Sequence, residues 1–226
     1  MPRRAKTAPS RGPAARKKTP KKTTENTQQR RPLLLLTACF FFAYVAAETA
    51  PPLLGPAQAA LSRATGLAHA ELSAMPSVLS AGAVAGGLFG GQVFAAAATP
   101  RACLVLAVAL LAGALVNACT PRATTLPAMS AVSLTLGMAN GFFRAGANCL
   151  VLRVHGNQAA PFMNALHLFG GAGRMLAPAT LAYFLSASSP PRAQVAAELG
   201  RAFQCVSMMS VVAAGRISAS AASASE

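Results

Sequence analysis

Long apolar runs alternate along this chain with short polar breaks, and the lengths of the runs are its most informative feature. A polar segment of residues 1–31 is followed by an apolar run from Leu33 to Leu54, broken only by Glu48 and the Pro51-Pro52 pair. A helix needs about 20 apolar residues to cross a hydrocarbon core, so this run predicts a first membrane span. Further spans are predicted over residues 73–97, 102–119, 126–153 and 161–185. A sixth, shorter candidate covers 203–218, preceded by Glu198 and Arg201 and trailing into a Ser/Ala-rich end over 219–226. The stretch from Gly55 to Leu72 is polar enough to read as a loop. The pattern predicts an all-α membrane protein with five to six transmembrane helices spread over residues 32–218.

Composition strengthens this picture. The chain is 54% hydrophobic and only 11% charged, where a soluble domain carries about 25% charged residues. Aspartate is absent and the five acids are glutamates at 25, 48, 71, 198 and 226. Paired-carboxylate catalysis therefore has almost nothing to use, and the chain is not expected to be an enzyme. Cysteines at 39, 103, 119, 149 and 205 show no metal-binding spacing, so neither a metal nor another cofactor is expected.

The net charge of +15 changes the reading only through where it lies. Eleven of the twenty Lys and Arg residues fall between Arg3 and Arg31, so the charge belongs to a tail and not to a folded nucleic-acid surface. Nearly empty of large apolar side chains, residues 1–31 are expected to be a disordered N-terminus. The tail places the N-terminus in the cytoplasm, and a plasma membrane is the expected location. An organelle membrane is the alternative, since a transit peptide shares the Arg/Lys excess. Short loops do not reinforce the orientation: Arg101 and Arg153 fall on the predicted inner side, and Arg63, Arg122 and Arg192 on the outer.

Three charges fall inside predicted spans, Glu48, Arg144 and Arg174. Each costs at least about 2.5 to 3.5 kcal/mol at mid-bilayer on insertion scales unless it faces a cavity or a partner. In the fourth span Asn140, Arg144 and Asn148 recur at i, i+4 and i+8, and in the fifth Asn164, His167, Gly171 and Arg174 at i, i+3, i+7 and i+10. Each set lies on one stripe of its helix, as do Thr37, Tyr44 and Glu48 in the first span. One reading is a water-accessible path in which Asn140, Asn148, Asn164 and His167 hydrogen-bond a small polar solute while Glu48 pairs with an arginine or takes a proton. The other is an internal ion-pair network of Glu48, Arg144 and Arg174, with asparagines joining helices. Gly82, Gly86 and Gly90 share one face of the second span and predict close helix packing. Pro127, Pro161 and Pro178, with Gly170, Gly171 and Gly173, predict bent or broken helices.

Several strings resemble the major facilitator superfamily: LLGPAQAALSRATGLAHAEL from Leu53, GAVAGGLFGG from Gly82, and MANGFFRAGANCLVLRVHGNQAAPFMNALHLFGGAGRMLAPA from Met138. The likeness is greatest to its sodium-dependent glucose transporter-like and fucose permease-like branch, through Gly55-Pro56, Gly141-Phe142, Gly146, Asn148, Pro161 and Asn164-Ala165-Leu166-His167. It covers roughly residues 33 to 186. Departures are Arg144, where that branch carries an acid, Gly146-Ala147 in place of a glycine pair, and Arg174 in a helix that is otherwise apolar. The loop from Gln92 keeps only Arg101 of the usual charged signature. The resemblance implies one N-terminal half of a major-facilitator-type bundle, engaged in symport of a hexose-type sugar coupled to sodium or protons, with Glu48 as coupling residue. It also implies membrane lipid, a small polar solute, and a second six-helix half or a homodimer partner. The competing expectation is a non-transporting membrane scaffold or a gene fragment.

Overall fold

A computed structural model describes the backbone of residues 25–185 and 191–223, and the side chains of 33–185, 191–220 and 222. Of the tail expected over 1–31, residues 1–24 lie outside the described residues, as do 224–226 of the 219–226 end. The described chain is helical and contains no strand. Its helices are α1 (Glu25–Thr49), α2 (Leu54–Thr65), α3 (His69–Ser73), α4 (Met75–Ala96), α5 (Thr99–Cys119), α6 (Leu126–His155), α7 (Ala159–Phe184) and α8 (Arg192–Ser223). Five apolar helical stretches are long enough to cross a membrane: 33–65, 69–96, 99–122, 126–184 and 192–220. The fourth holds both α6 and α7, of 30 and 26 residues, each longer than the roughly 20 residues a crossing requires. Between them Gly156, at φ 51°, takes the left-handed backbone that reverses the chain at low cost.

Residue pairings show that the long helices alternate in direction. Gly113 faces Ala139 and Leu106 faces Gly146, so α5 and α6 are antiparallel. Asn117 of α5 donates to the Phe203 carbonyl and to Ser207 of α8, at 3.1 Å each, while Leu106, Ala213 and Ala214 share a core. Helices α4 and α6 run the same way and approach backbone to backbone. An alanine methyl at Gly82 or Gly86 would collide with the carbonyl of Leu134 or Met138, and one at Gly90 would lie 3.0 Å from that of Phe142. Gly137 and Gly141 answer from α6 against Leu79 and Ala83. Small residues at a four-residue interval are what permit this contact, the pattern that lets helix backbones approach closely. At the far end Arg153 caps the last turn of α4, donating to the carbonyls of Phe94, Ala95 and Ala97.

Three expectations differ from what is observed. The stretch read as a loop over Gly55 to Leu72 is largely helical. Leu54, Ala57, Ala60 and Leu61 recur at i, i+3, i+6 and i+7 and bury one face in a cluster with Val195, Leu199 and Ala202 of α8. Arg63 stands on the opposite face and Gln58 at the edge of the buried one, so the overall polarity concealed an amphipathic period. The same cluster explains why α8 starts at Arg192, eleven residues before Phe203. Val195, Leu199, Ala202, Phe203 and Val206 form one buried stripe. Of the bent or broken helices predicted, α7 shows no break: it is continuous from Ala159 to Phe184 with Pro178 inside it. Pro127 and Pro161 stand in first turns, where the missing N–H has no helical partner to lose.

Buried apolar side chains form two clusters, one towards each end of the bundle. Between them lies a layer of buried polar residues that includes Glu48, Thr49, Asn140 and Ser210. Large apolar side chains stand outward, among them Val84, Leu88 and Phe89 on α4, Leu104, Val108 and Leu115 on α5, and Met208 on α8.

Candidate functional site

The polar layer opens on one side of the bundle, where α1, α6 and α7 meet. Glu48, near the end of α1, is only 2% exposed. Arg174 of α7 donates from Nε and Nη2 to Glu48 Oε2, at 2.9 and 2.7 Å. Arg144 of α6 holds its Nε 3.2 Å from Oε1, an ion pair without hydrogen-bond alignment. The two arginine side chains are themselves 41% and 52% exposed, in the order Arg144 and Arg174. One carboxylate is thus enclosed by two guanidiniums whose side chains are themselves about half open.

Local sequence builds this geometry. Gly170 and Gly173 bring α7 against α1: a methyl at Gly170 would lie 2.7 Å from Tyr44 Cε1, and one at Gly173 2.5 Å from the Val45 carbonyl and 3.2 Å from Glu48 Cβ. With α7 that close, Arg174 at the adjacent position reaches the carboxylate. Tyr44, one turn before Glu48, is buried beside Phe143, at a centroid distance of 5.9 Å, and meets the His167 ring edge-on at 6.0 Å. Its hydroxyl is buried against the Arg144 guanidinium, with no well-aligned hydrogen bond.

The sequence-predicted residues divide by role. Asn140 is buried and donates its amide to the Ala47 carbonyl at 3.1 Å, a bond that ties α6 to α1. Asn148, two turns along α6, is partly buried, and its Oδ1 is shut away from solvent with no donor. Asn164 and His167 are exposed on α7, on the same edge as Gly171 and Arg174. Glu48, Arg144 and Arg174 come together, whereas Asn164 makes no side-chain contact with them. Gly82, Gly86 and Gly90 lie at the α4–α6 contact, away from this face.

Sequence reasoning missed three contributors. Gly137 and Gly141 form the α6 half of the glycine contact, and their four-residue spacing carried the same signal as the α4 set. Asn117, in a span with no assigned site, is wholly buried and bridges α5 to α8. Gly170 and Gly173, which with Gly171 and the prolines predict bent or broken helices, also set the close packing of α7 on α1. No group of three or more His, Cys, Asp or Glu side chains able to hold a metal occurs among the described residues. No protein-family model matches the chain, and no curated protein matches it either.

Proposed function

We propose that the chain is a multi-pass membrane protein whose six long helices act as one half of a major-facilitator-type secondary transporter, moving a polar, sugar-sized solute. The observation that carries this reading is the Glu48–Arg144–Arg174 cluster, laid open on one face at the level of the polar layer. Two half-exposed guanidiniums turned towards lipid would each face a cost of at least about 2.5 kcal/mol, so such a face calls for water or a covering partner. Elsewhere the exposed surface is rich in Val, Leu, Phe and Met side chains suited to acyl chains. A second six-helix half or a second copy would complete the path across the open face, near the midplane where transporters of this kind bind solute. Glu48 serves in this account as the residue that couples sodium or proton movement to the solute, through its pairing with the two arginines.

A second reading is favoured by one specific observation. Glu48 is enclosed and paired on both oxygens, which is also how a purely structural ion pair looks. A non-transporting scaffold would need nothing more.

Uptake separates the two. The full chain, reconstituted into lipid vesicles, is expected to accumulate at least one labelled hexose or acidic hexose derivative faster than empty vesicles. The rate is expected to rise with an inward sodium or proton gradient and to fall on His167→Ala or Asn148→Ala. Uptake indistinguishable from empty vesicles under every gradient supports the scaffold.

A further inference from the structure

The charge balance of the open face narrows the solute. Glu48 supplies one negative charge and Arg144 and Arg174 two positive ones, leaving the cluster at +1. Nothing nearby redresses this. The remaining described acids outside the tail are engaged elsewhere: Glu71 accepts from the Ala68 N–H at 2.8 Å in the α3 region, and Glu198 accepts from Gln194 in α8. His167, the other titratable side chain on this edge, adds positive charge or none.

Donor geometry points the same way. A guanidinium carries five N–H donors and accepts nothing. Arg174 uses Nε and Nη2 on Glu48, and Arg144 turns Nε to it while also meeting the Tyr44 hydroxyl, so Nη1 of Arg174 and the remaining donors of Arg144 are left for a ligand. Forked N–H donors suit the oxygens of a carboxylate or phosphate, which a neutral hydroxyl matches poorly. One turn from Arg144, the unpartnered Asn148 Oδ1 is enclosed on a half-buried side chain, an acceptor that a turn of the amide would present to a hydroxyl O–H.

From this juxtaposition we propose that the solute is an anionic sugar derivative, its carboxylate or phosphate held by the remaining donors of Arg144 and Arg174 and a hydroxyl by Asn148. This rests on reading the open face as a solute path. Glu48 then has a second consequence: it competes with the anion for the arginines, so replacing it by Gln strengthens anion binding.

The test is ligand protection against thermal unfolding of the full chain in a neutral detergent, which requires no transport. Probes are glucose, glucuronate, glucose 6-phosphate and inorganic phosphate. Glucuronate, glucose 6-phosphate or both are expected to raise the unfolding temperature, inorganic phosphate less, and glucose not at all. Arg144→Gln is expected to weaken the protecting anion roughly tenfold or more, the size of one lost charge-assisted hydrogen bond, while Glu48→Gln tightens it. Opposite shifts from two substitutions in one cluster do not arise from general misfolding. Protection by glucose equal to that by the anions overturns the inference and leaves the solute-path reading standing. Protection by inorganic phosphate as strong as by glucose 6-phosphate overturns the sugar part. Protection by no probe overturns the inference, and uptake then decides the path reading separately.

Discussion

Arg144 and Arg174 both pair with Glu48, but unequally, and the inequality sets a quantitative expectation for removing each. Arg174 makes two bonds to a carboxylate that is 2% exposed, whereas Arg144 makes one contact, at 3.2 Å, without hydrogen-bond alignment. Breaking a buried pair from one side costs about 3 to 5 kcal/mol when the remaining charge is fully enclosed. With Arg144 still beside the carboxylate, and both guanidiniums half open, the cost of Arg174→Gln falls to about 2 to 3 kcal/mol. Arg144→Gln leaves both bonds from Arg174 in place, and its cost is about 1 kcal/mol or less. Glu48→Gln leaves two cations that water reaches, an intermediate loss of about 1 to 2 kcal/mol. The double variant Glu48→Gln/Arg174→Gln removes both partners of the tighter pair, so its loss is expected to fall short of the sum by about 1 to 2 kcal/mol. Unfolding of each variant by sodium dodecyl sulfate in mixed micelles, followed by helical circular dichroism, measures these values. The reasoning is refuted if Arg144→Gln costs as much as Arg174→Gln, or if the double-variant cycle shows no coupling.

Other expectations follow from the packing. Gly86→Ala forces α4 from α6 and is expected to cost about 1 to 3 kcal/mol in the same unfolding assay, whereas Gly91→Ala, with open space at its Cα, is expected to be neutral or slightly stabilising. Asn117→Leu loses both amide bonds to α8 and leaves the Phe203 carbonyl with one donor fewer, an expected loss of about 0.6 to 1.7 kcal/mol by the scale of interhelical bonds in membranes. Leu61→Ala opens the α2–α8 cluster, and an expected loss of about 2 kcal/mol or more is to appear together with faster proteolysis between residues 54 and 73.

The helical class was legible in the chain because a membrane-length apolar run admits few other readings. Boundaries were less so. In α2 a polar surface masked Leu54, Ala57, Ala60 and Leu61, whose period becomes meaningful only with α8 lying against it. For the site, spacing placed Arg144 with Asn140 and Asn148, and Arg174 with Asn164 and His167, but spacing within one helix is silent about which helices touch. That Arg174 holds Glu48 with two bonds and Arg144 with none depends on how far α7 closes on α1, which Gly170 and Gly173 decide. The same silence hid the division among the asparagines, of which Asn140 joins helices while Asn148 keeps an unpartnered oxygen.

Whether the open face holds water is the central question, and thiol labelling answers it most directly. With the five native cysteines replaced, single cysteines are placed along both exposed edges of α7 in the full chain in lipid vesicles and treated with a charged, membrane-impermeant maleimide. At 100° per residue, Asn164, His167 and Gly171 lie along the edge that carries Arg174, while Ala172 and Leu176 face outward on the other. Fast labelling at Asn164→Cys, His167→Cys and Gly171→Cys, with little at Ala172→Cys and Leu176→Cys, is the expected result. Equal labelling of both edges, or none at His167→Cys and Gly171→Cys, contradicts the account.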